Sequence, residues 1–194
     1  MMVKICGITQ EEDALAAIEG GAAALGFNFY RKSPRYLAPD AAARIFESLP
    51  PAVWKVGVFV NENGAGVARR IGLDVVQIHG EPGALPAGTR VWRALRVDDT
   101  FRVGDLECLD AEAFLLDTPS ETLHGGTGRT FDWSRAAGAT RKVILAGGLD
   151  AVNVGDAIRA ARPWGVDACS RIESAPGRKD HKKMLEFLRA AHEF

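Results

Sequence analysis

VKICGITQEED, residues 3–13, is a short apolar strand that runs into a turn and then into an acidic helix start. A doubly wound, dinucleotide-holding sheet carries a glycine-rich fingerprint, G-x-G-x-x-G, at this first strand-to-helix turn, and GITQEED is not one. Seven more apolar or β-branched runs follow the first: ALGFNFY (24–30), KVGVFVN (55–61), VVQIHG (75–80), RVWRALRV (90–97), AFLLDT (113–118), KVILAG (142–147) and GVDACS (165–170). The segments between them have helical spacing, and strands that alternate with helices predict parallel βαβ units. Eight units close naturally into a (β/α)8 barrel, so the expected fold is α/β, a compact TIM barrel in one domain over residues 1–194.

Local signals agree with that reading. Thr9 can cap the first helix, Glu11, Glu12 and Asp13 favour its positive end, and Gly20 or Gly21 can end it in a left-handed residue. Pro39 suits a first helical turn. Dividing 194 residues among eight units leaves about 24 each, well below the fold's usual share, so several helices must be abbreviated. EPGALPAG (81–88) looks like such a remnant, and the long glycine-rich loop at 118–130 is placed as a lid would be.

Composition removes whole classes of function. With 24 Lys+Arg against 25 Asp+Glu scattered along the chain, nucleic acid is not an expected partner, and any bound phosphate must be held locally. The N-terminal apolar run is too short for a signal peptide and no stretch approaches a membrane span, so a cytoplasmic protein without membrane contact is expected. Cys6, Cys108 and Cys169 make no C-x-x-C pair, and the four histidines lack metal-ligand spacing, so reduced thiols and no metal are expected.

Barrel chemistry comes from the C-terminal strand ends and the loops after them. That places Cys6, Asp117 and His79 at strand ends and Arg35 in the loop after the second strand, all able to face one cavity. Cys6 and Asp117 can form a base and acid pair if a cation lowers the thiol and desolvation raises the carboxyl. Lys4 shares a strand face with Cys6 and is a candidate for that cation; alternatively it pairs with an inward carboxylate such as Asp167. The turns AGGL (146–149) and CSRIES (169–174) follow strands seven and eight, where such barrels hold phosphate, so Gly147, Gly148 and Ser170 are candidate phosphate ligands.

These segments together resemble the phosphoribosylanthranilate isomerase family of tryptophan biosynthesis. KICGIT (4–9), GFNFYRKSPRY (26–36), VGVFVN (56–61), VQIHG (76–80), LLDT (115–118), GGTGRTFDW (125–133), LAGGL (145–149) and PGRKD (176–180) carry the resemblance, in the family's order. It implies a cofactor-free Amadori rearrangement of N-(5'-phosphoribosyl)anthranilate to 1-(2-carboxyphenylamino)-1-deoxyribulose 5-phosphate, a small phosphosugar being the expected partner. By the same resemblance Asp117 is the general acid on the ring oxygen and Cys6 the base at C2. Arg35 holds the anthranilate carboxylate, His79 either binds substrate or only bonds within the mouth, and Gly147, Gly148 and Ser170 hold phosphate. Association with other tryptophan-pathway enzymes leaves no sign in the residues, for or against.

One departure from the family matters: its strand-eight turn usually reads Ser-Ser-Gly-Val/Ile-Glu where this chain reads Cys169-Ser170-Arg171-Ile172-Glu173, placing Arg171 where a glycine is expected. If a glycine with positive φ belongs there, Arg171 strains the turn by roughly 1–3 kcal/mol. Its side chain either joins the phosphate ligands or turns to solvent. Two other functions compete: the related aminoaldose isomerase of the histidine pathway, which calls for paired aspartates, and a catalytically silent barrel used for binding or assembly.

Overall fold

In the computed structural model, which describes residues 1–81, 83–118 and 130–194, eight parallel strands close into a barrel in sequence order. They are β1 (Met2–Cys6), β2 (Ala24–Asn28), β3 (Trp54–Val60), β4 (Val75–His79), β5 (Val91–Arg96), β6 (Ala113–Asp117), β7 (Val143–Leu145) and β8 (Gly165–Ala168). Closure is made by β8 returning to β1 in a register that sets Met2 against Gly165 and Ile5 against Ala168. Each of the eight expected runs holds one strand. KVILAG keeps only three residues of it because Gly147 and Gly148 turn away at φ +80° and +68°, a region that costs glycine nothing.

The helices are α1 (Glu11–Glu19), α2 (Pro39–Phe46), α3 (Ala65–Ile71), α4 (Val154–Ala161) and α5 (His181–His192). Among the described residues only the 3₁₀ turns Val103–Cys108 and Trp133–Ala136 stand after β5 and β6, and those between β4 and β5 form no helix. Pro39 opens α2 as expected, but Thr9 does not cap α1: Gln10 occupies the cap without a side-chain bond, and the Thr9 hydroxyl donates to the Gly177 carbonyl instead. Gly20 is right-handed at φ −74°, and Gly21 at φ +95° makes the left-handed exit. The lid expected at 118–130 lies, apart from its two end residues, outside the described residues.

Alternation along each strand sorts side chains into two layers. Val3, Ile5, Leu25, Phe27, Ile78, Phe114 and Leu116 point outward and pack under the helices with Met184, Phe187 and Leu188 of α5. Ala24, Val56, Val75, Trp92, Leu115 and Ile144 fill the barrel itself. Near the N-terminal strand ends Trp54, Trp92 and Trp164 pack with ring centroids 5.8–6.1 Å apart, each such pair contributing about 0.5–1.5 kcal/mol beyond its buried area. With apolar side chains sealing that end, the polar residues of the inner layer gather at the C-terminal mouth.

Candidate active site

The mouth encloses a cavity of about 230 Å³. Of the residues singled out from the sequence, Cys6, Arg35, His79, Asp117, Gly147, Gly148, Ser170 and Arg171 line it, while Lys4 lies buried outside its lining. They converge because β1, β4 and β6 each end on an inward residue, and because the turns after β7 and β8 lie side by side.

Cys6 and Asp117 sit in environments of opposite effect. The Cys6 thiol is held well below its ordinary value, first by a hydrogen bond from Cys169, which outweighs burial together with the nearby Lys4 and Lys179 ammonium groups. Lys4 donates to Asp167 Oδ1 at 2.7 Å and is itself fully buried. The two expectations for Lys4 are thus both met, since burial disfavours its charge while Asp167 and the Cys6 thiolate together keep it protonated. Asp117 is pushed up to about 6, chiefly by burial and further by the Cys6 charge, against a 2.7 Å hydrogen bond from the Thr118 N–H. Asp167 also lines the cavity, but its carboxylate is committed to Lys4, whereas Asp117 makes no ion pair among the described residues.

Arg35 is not a surface residue. Its Nε and Nη2 grip Glu173 in a fork at 2.7–3.1 Å, leaving Nη1 with no protein acceptor among the described residues. Burial opposes the charge of Glu173, but Arg35 and Lys179 hold its carboxyl below the usual range. Lys179, buried, donates to Glu173 Oε1 at 2.9 Å and to the Cys6 carbonyl at 2.6 Å, tying the β1 turn to the hairpin β9 (Glu173–Ala175) and β10 (Arg178–Lys179).

Gly147, Gly148 and Ser170, also in the cavity lining, have backbone N–H groups with no protein acceptor among the described residues. Such amides on adjacent turns suit an anion. Arg171 lies within the 3₁₀ turn Ser170–Ile172 and is not among the positive-φ residues, so the strain anticipated for it does not arise. Its guanidinium meets Asp150 at 3.3 Å and is about half exposed.

Several site residues escaped the sequence reading. Gln77 follows the same parity as His79, its Nε2 lies 3.2 Å from the His79 ring, and its buried Oε1 has no partner among the described residues. The i, i+2 relation in VVQIHG was the available signal. Glu173 and Lys179 lay in the quoted segments CSRIES and PGRKD, but their roles went unread because they act from a hairpin beyond the barrel strands that no periodicity marks.

The family model for N-(5'phosphoribosyl)anthranilate (PRA) isomerase matches residues 3–190. The chain belongs to this family. Among its relatives, the N-(5'-phosphoribosyl)anthranilate isomerase of Solibacter usitatus is 53% identical over 98% of this chain and 97% of its own, and that of Pelobacter propionicus is 50% identical over 98% and 95%. The crystal structure of phosphoribosyl anthranilate isomerase from Thermotoga maritima superposes with a TM-score of 0.86 at 41% identity over the whole of both chains. A further phosphoribosyl anthranilate isomerase structure, in complex with reduced 1-(O-carboxyphenylamino)-1-deoxyribulose 5-phosphate, aligns over both full chains at 39% identity with a TM-score of 0.82. The strands and turns carrying the cavity therefore have full-length counterparts in solved members of the family.

Proposed function

We infer that this chain is an N-(5'-phosphoribosyl)anthranilate isomerase, converting its substrate to 1-(2-carboxyphenylamino)-1-deoxyribulose 5-phosphate by general acid–base catalysis in one barrel domain of the cytoplasm. The observation that carries the mechanism is the opposite displacement of Cys6 and Asp117 in one cavity, a thiol driven toward thiolate facing a carboxyl driven toward its acid form. Asp117 protonates the furanose ring oxygen, and the C1–O bond opens to a protonated Schiff base. The Cys6 thiolate then takes the C2 proton, the iminium accepting the electron pair, and the enolamine tautomerises to the ketone. Each proton transfer supplies about 10²–10⁴-fold, with positioning supplying the rest.

Binding follows the charges. Arg35, already aligned by Glu173, offers Nη1 to the anthranilate carboxylate, and the Gln77 Oε1 accepts from a sugar hydroxyl while His79 holds its amide in place. The amides of Gly147, Gly148 and the Ser170–Arg171 turn take the phosphate. Turnover of synthesised N-(5'-phosphoribosyl)anthranilate, followed by loss of its anthranilate-type fluorescence, tests the reading. A chain that leaves this substrate untouched while isomerising the histidine-pathway aminoaldose, or that turns over neither, would overturn it.

A further inference from the structure

We propose that Cys6 and Cys169 form a dithiol that hydroperoxides oxidise to a reversible disulfide across the barrel mouth. The β1–β8 register pairs Ile5 with Ala168, so Cys6 and Cys169 follow as the next neighbours at the ends of adjacent strands. Adjacent strands lie about 4.8 Å apart, inside the about 4.4–6.8 Å between Cα atoms that disulfides span. One ammonium, that of Lys179, reaches the carbonyls of both residues, at 2.6 Å and 3.5 Å. Each thiol shifts the ionisation of the other, and Cys169 Sγ also approaches Glu173 Oε1 at 3.9 Å. Both side chains are half-buried and line the cavity, so a small oxidant entering it meets them. Where the family's turn carries serine, this chain carries the second thiol.

The pair is polarised for the reaction. Cys169 keeps its proton, its thiol raised by the bond to Cys6 and by burial, while Cys6 is the thiolate. The Cys6 sulfur attacks the terminal oxygen of a hydroperoxide, forming an S–O bond as the O–O bond breaks, and the departing alkoxide or hydroxide takes a proton from solvent. Cys169 then attacks the Cys6 sulfur, the S–S bond forming as the S–O bond breaks, and its proton leaves with the oxygen as water. In sum two thiols and one hydroperoxide give a disulfide, an alcohol or water, and a second water. The sulfurs lose the two electrons that the O–O bond gains. The resulting disulfide removes the thiolate that the isomerase reading uses as its base.

The test is peptide mapping of the full chain after exposure to hydrogen peroxide and alkylation of free thiols. The expected product is a tryptic peptide beginning at Ile5 joined to the one ending at Arg171, lighter by two hydrogens and separated by dithiothreitol, with the exposed Cys108 as the internal reference for unspecific oxidation. Activity is expected to fall at least about tenfold and to return on reduction, whereas in Cys169→Ser the same treatment carries Cys6 to the sulfinic acid and reductant restores less than about a tenth. Recovery of Cys6 as sulfinic acid without the joined peptide, or equal recovery of parent and Cys169→Ser, would overturn the proposal. The activity arm rests on Cys6 being the base and the peptide arm does not, so cross-linking without loss of turnover counts against that assignment alone.

Discussion

Gly147 and Asp117 constrain each other: a Cβ placed on Gly147 would stand 2.8 Å from Asp117 Oδ1, the oxygen that accepts the Thr118 N–H. Gly147 also sits at φ +80°, where a side chain is strained. Gly147→Ala is therefore expected to lower stability by about 1–3 kcal/mol and to weaken catalysis and phosphate binding together, since it disturbs both the acid and the anion turn. Denaturant unfolding, phosphate affinity and kcat/KM on one preparation check this. Unchanged turnover would separate Gly147 from the acid.

Removing either proton-transfer group tests the assignment of roles. Cys6→Ala and Asp117→Asn are each expected to reduce kcat by at least about 10²-fold with the fold retained, because each deletes one of two sequential proton transfers. Circular dichroism with single-turnover kinetics makes the comparison. Retained activity in either variant would remove that residue from the mechanism.

The pH profile carries a sign. Asp117 acts in its acid form and titrates at about 6, so kcat/KM is expected to fall as pH rises through that value. Substrate phosphate titrates nearby, at about 6. The residual activity of Asp117→Asn distinguishes them: the limb owed to the side chain vanishes and the phosphate limb stays. Folding raises this carboxyl, so its ionisation opposes folding, a cost absent below the unfolded value of about 4 and full above about 6. Asp117→Asn is accordingly expected to gain stability over the parent only above that window.

Most of the barrel and much of its mouth were readable because period-two alternation fixes which strand residues face inward. Cys6 and Asp117 close their strands, and the parity of VVQIHG put His79, and with it Gln77, on the inner face. What sequence could not convey is pairing between distant segments. The fork from Arg35 to Glu173 joins residues 138 apart, and the bond from Lys179 to the Cys6 carbonyl joins residues 173 apart; of the long-range pairs only Lys4–Asp167 could be named, because strand parity turns both inward. Cys169 was visible only as a departure from a family pattern, since its hydrogen bond to Cys6 depends on barrel closure. The helix-capping signal at Thr9 failed for the same reason, the hydroxyl being drawn to Gly177 by a tertiary contact.

Lys4 and Asp167 offer a test of how the thiolate is sustained. Asp167→Asn leaves a buried ammonium without its carboxylate and is expected to cost about 3–5 kcal/mol. Replacing both, as Lys4→Met with Asp167→Leu, is expected to recover much of that stability while raising the Cys6 thiol, because the cation beside it is gone. The rate of Cys6 alkylation against pH reports the shift. A profile unmoved in the double variant would assign the effect to Cys169 and Lys179 and remove Lys4 from it.

Arg171 stands where the family pattern has glycine, and its backbone shows why the exchange is tolerated. The residue does not adopt positive φ and sits within a regular 3₁₀ turn, so the side chain is accommodated without backbone strain. The phosphate site built from backbone N–H groups is thus expected to work in this chain, whatever the side chain contributes. That contribution should be small: the guanidinium is about half exposed and already engaged with Asp150, so its field at the phosphate is screened by water and partly cancelled by the carboxylate. Arg171→Gly is expected to weaken inorganic phosphate binding by less than about tenfold at low salt and less still as salt rises, with kcat little changed. Isothermal titration across a salt series, paired with KM for the substrate, measures it. A loss beyond tenfold that persists at high salt would mean that Arg171 leaves Asp150 to bond the phosphate directly; tighter binding in the glycine variant would mean that the arginine distorts the turn.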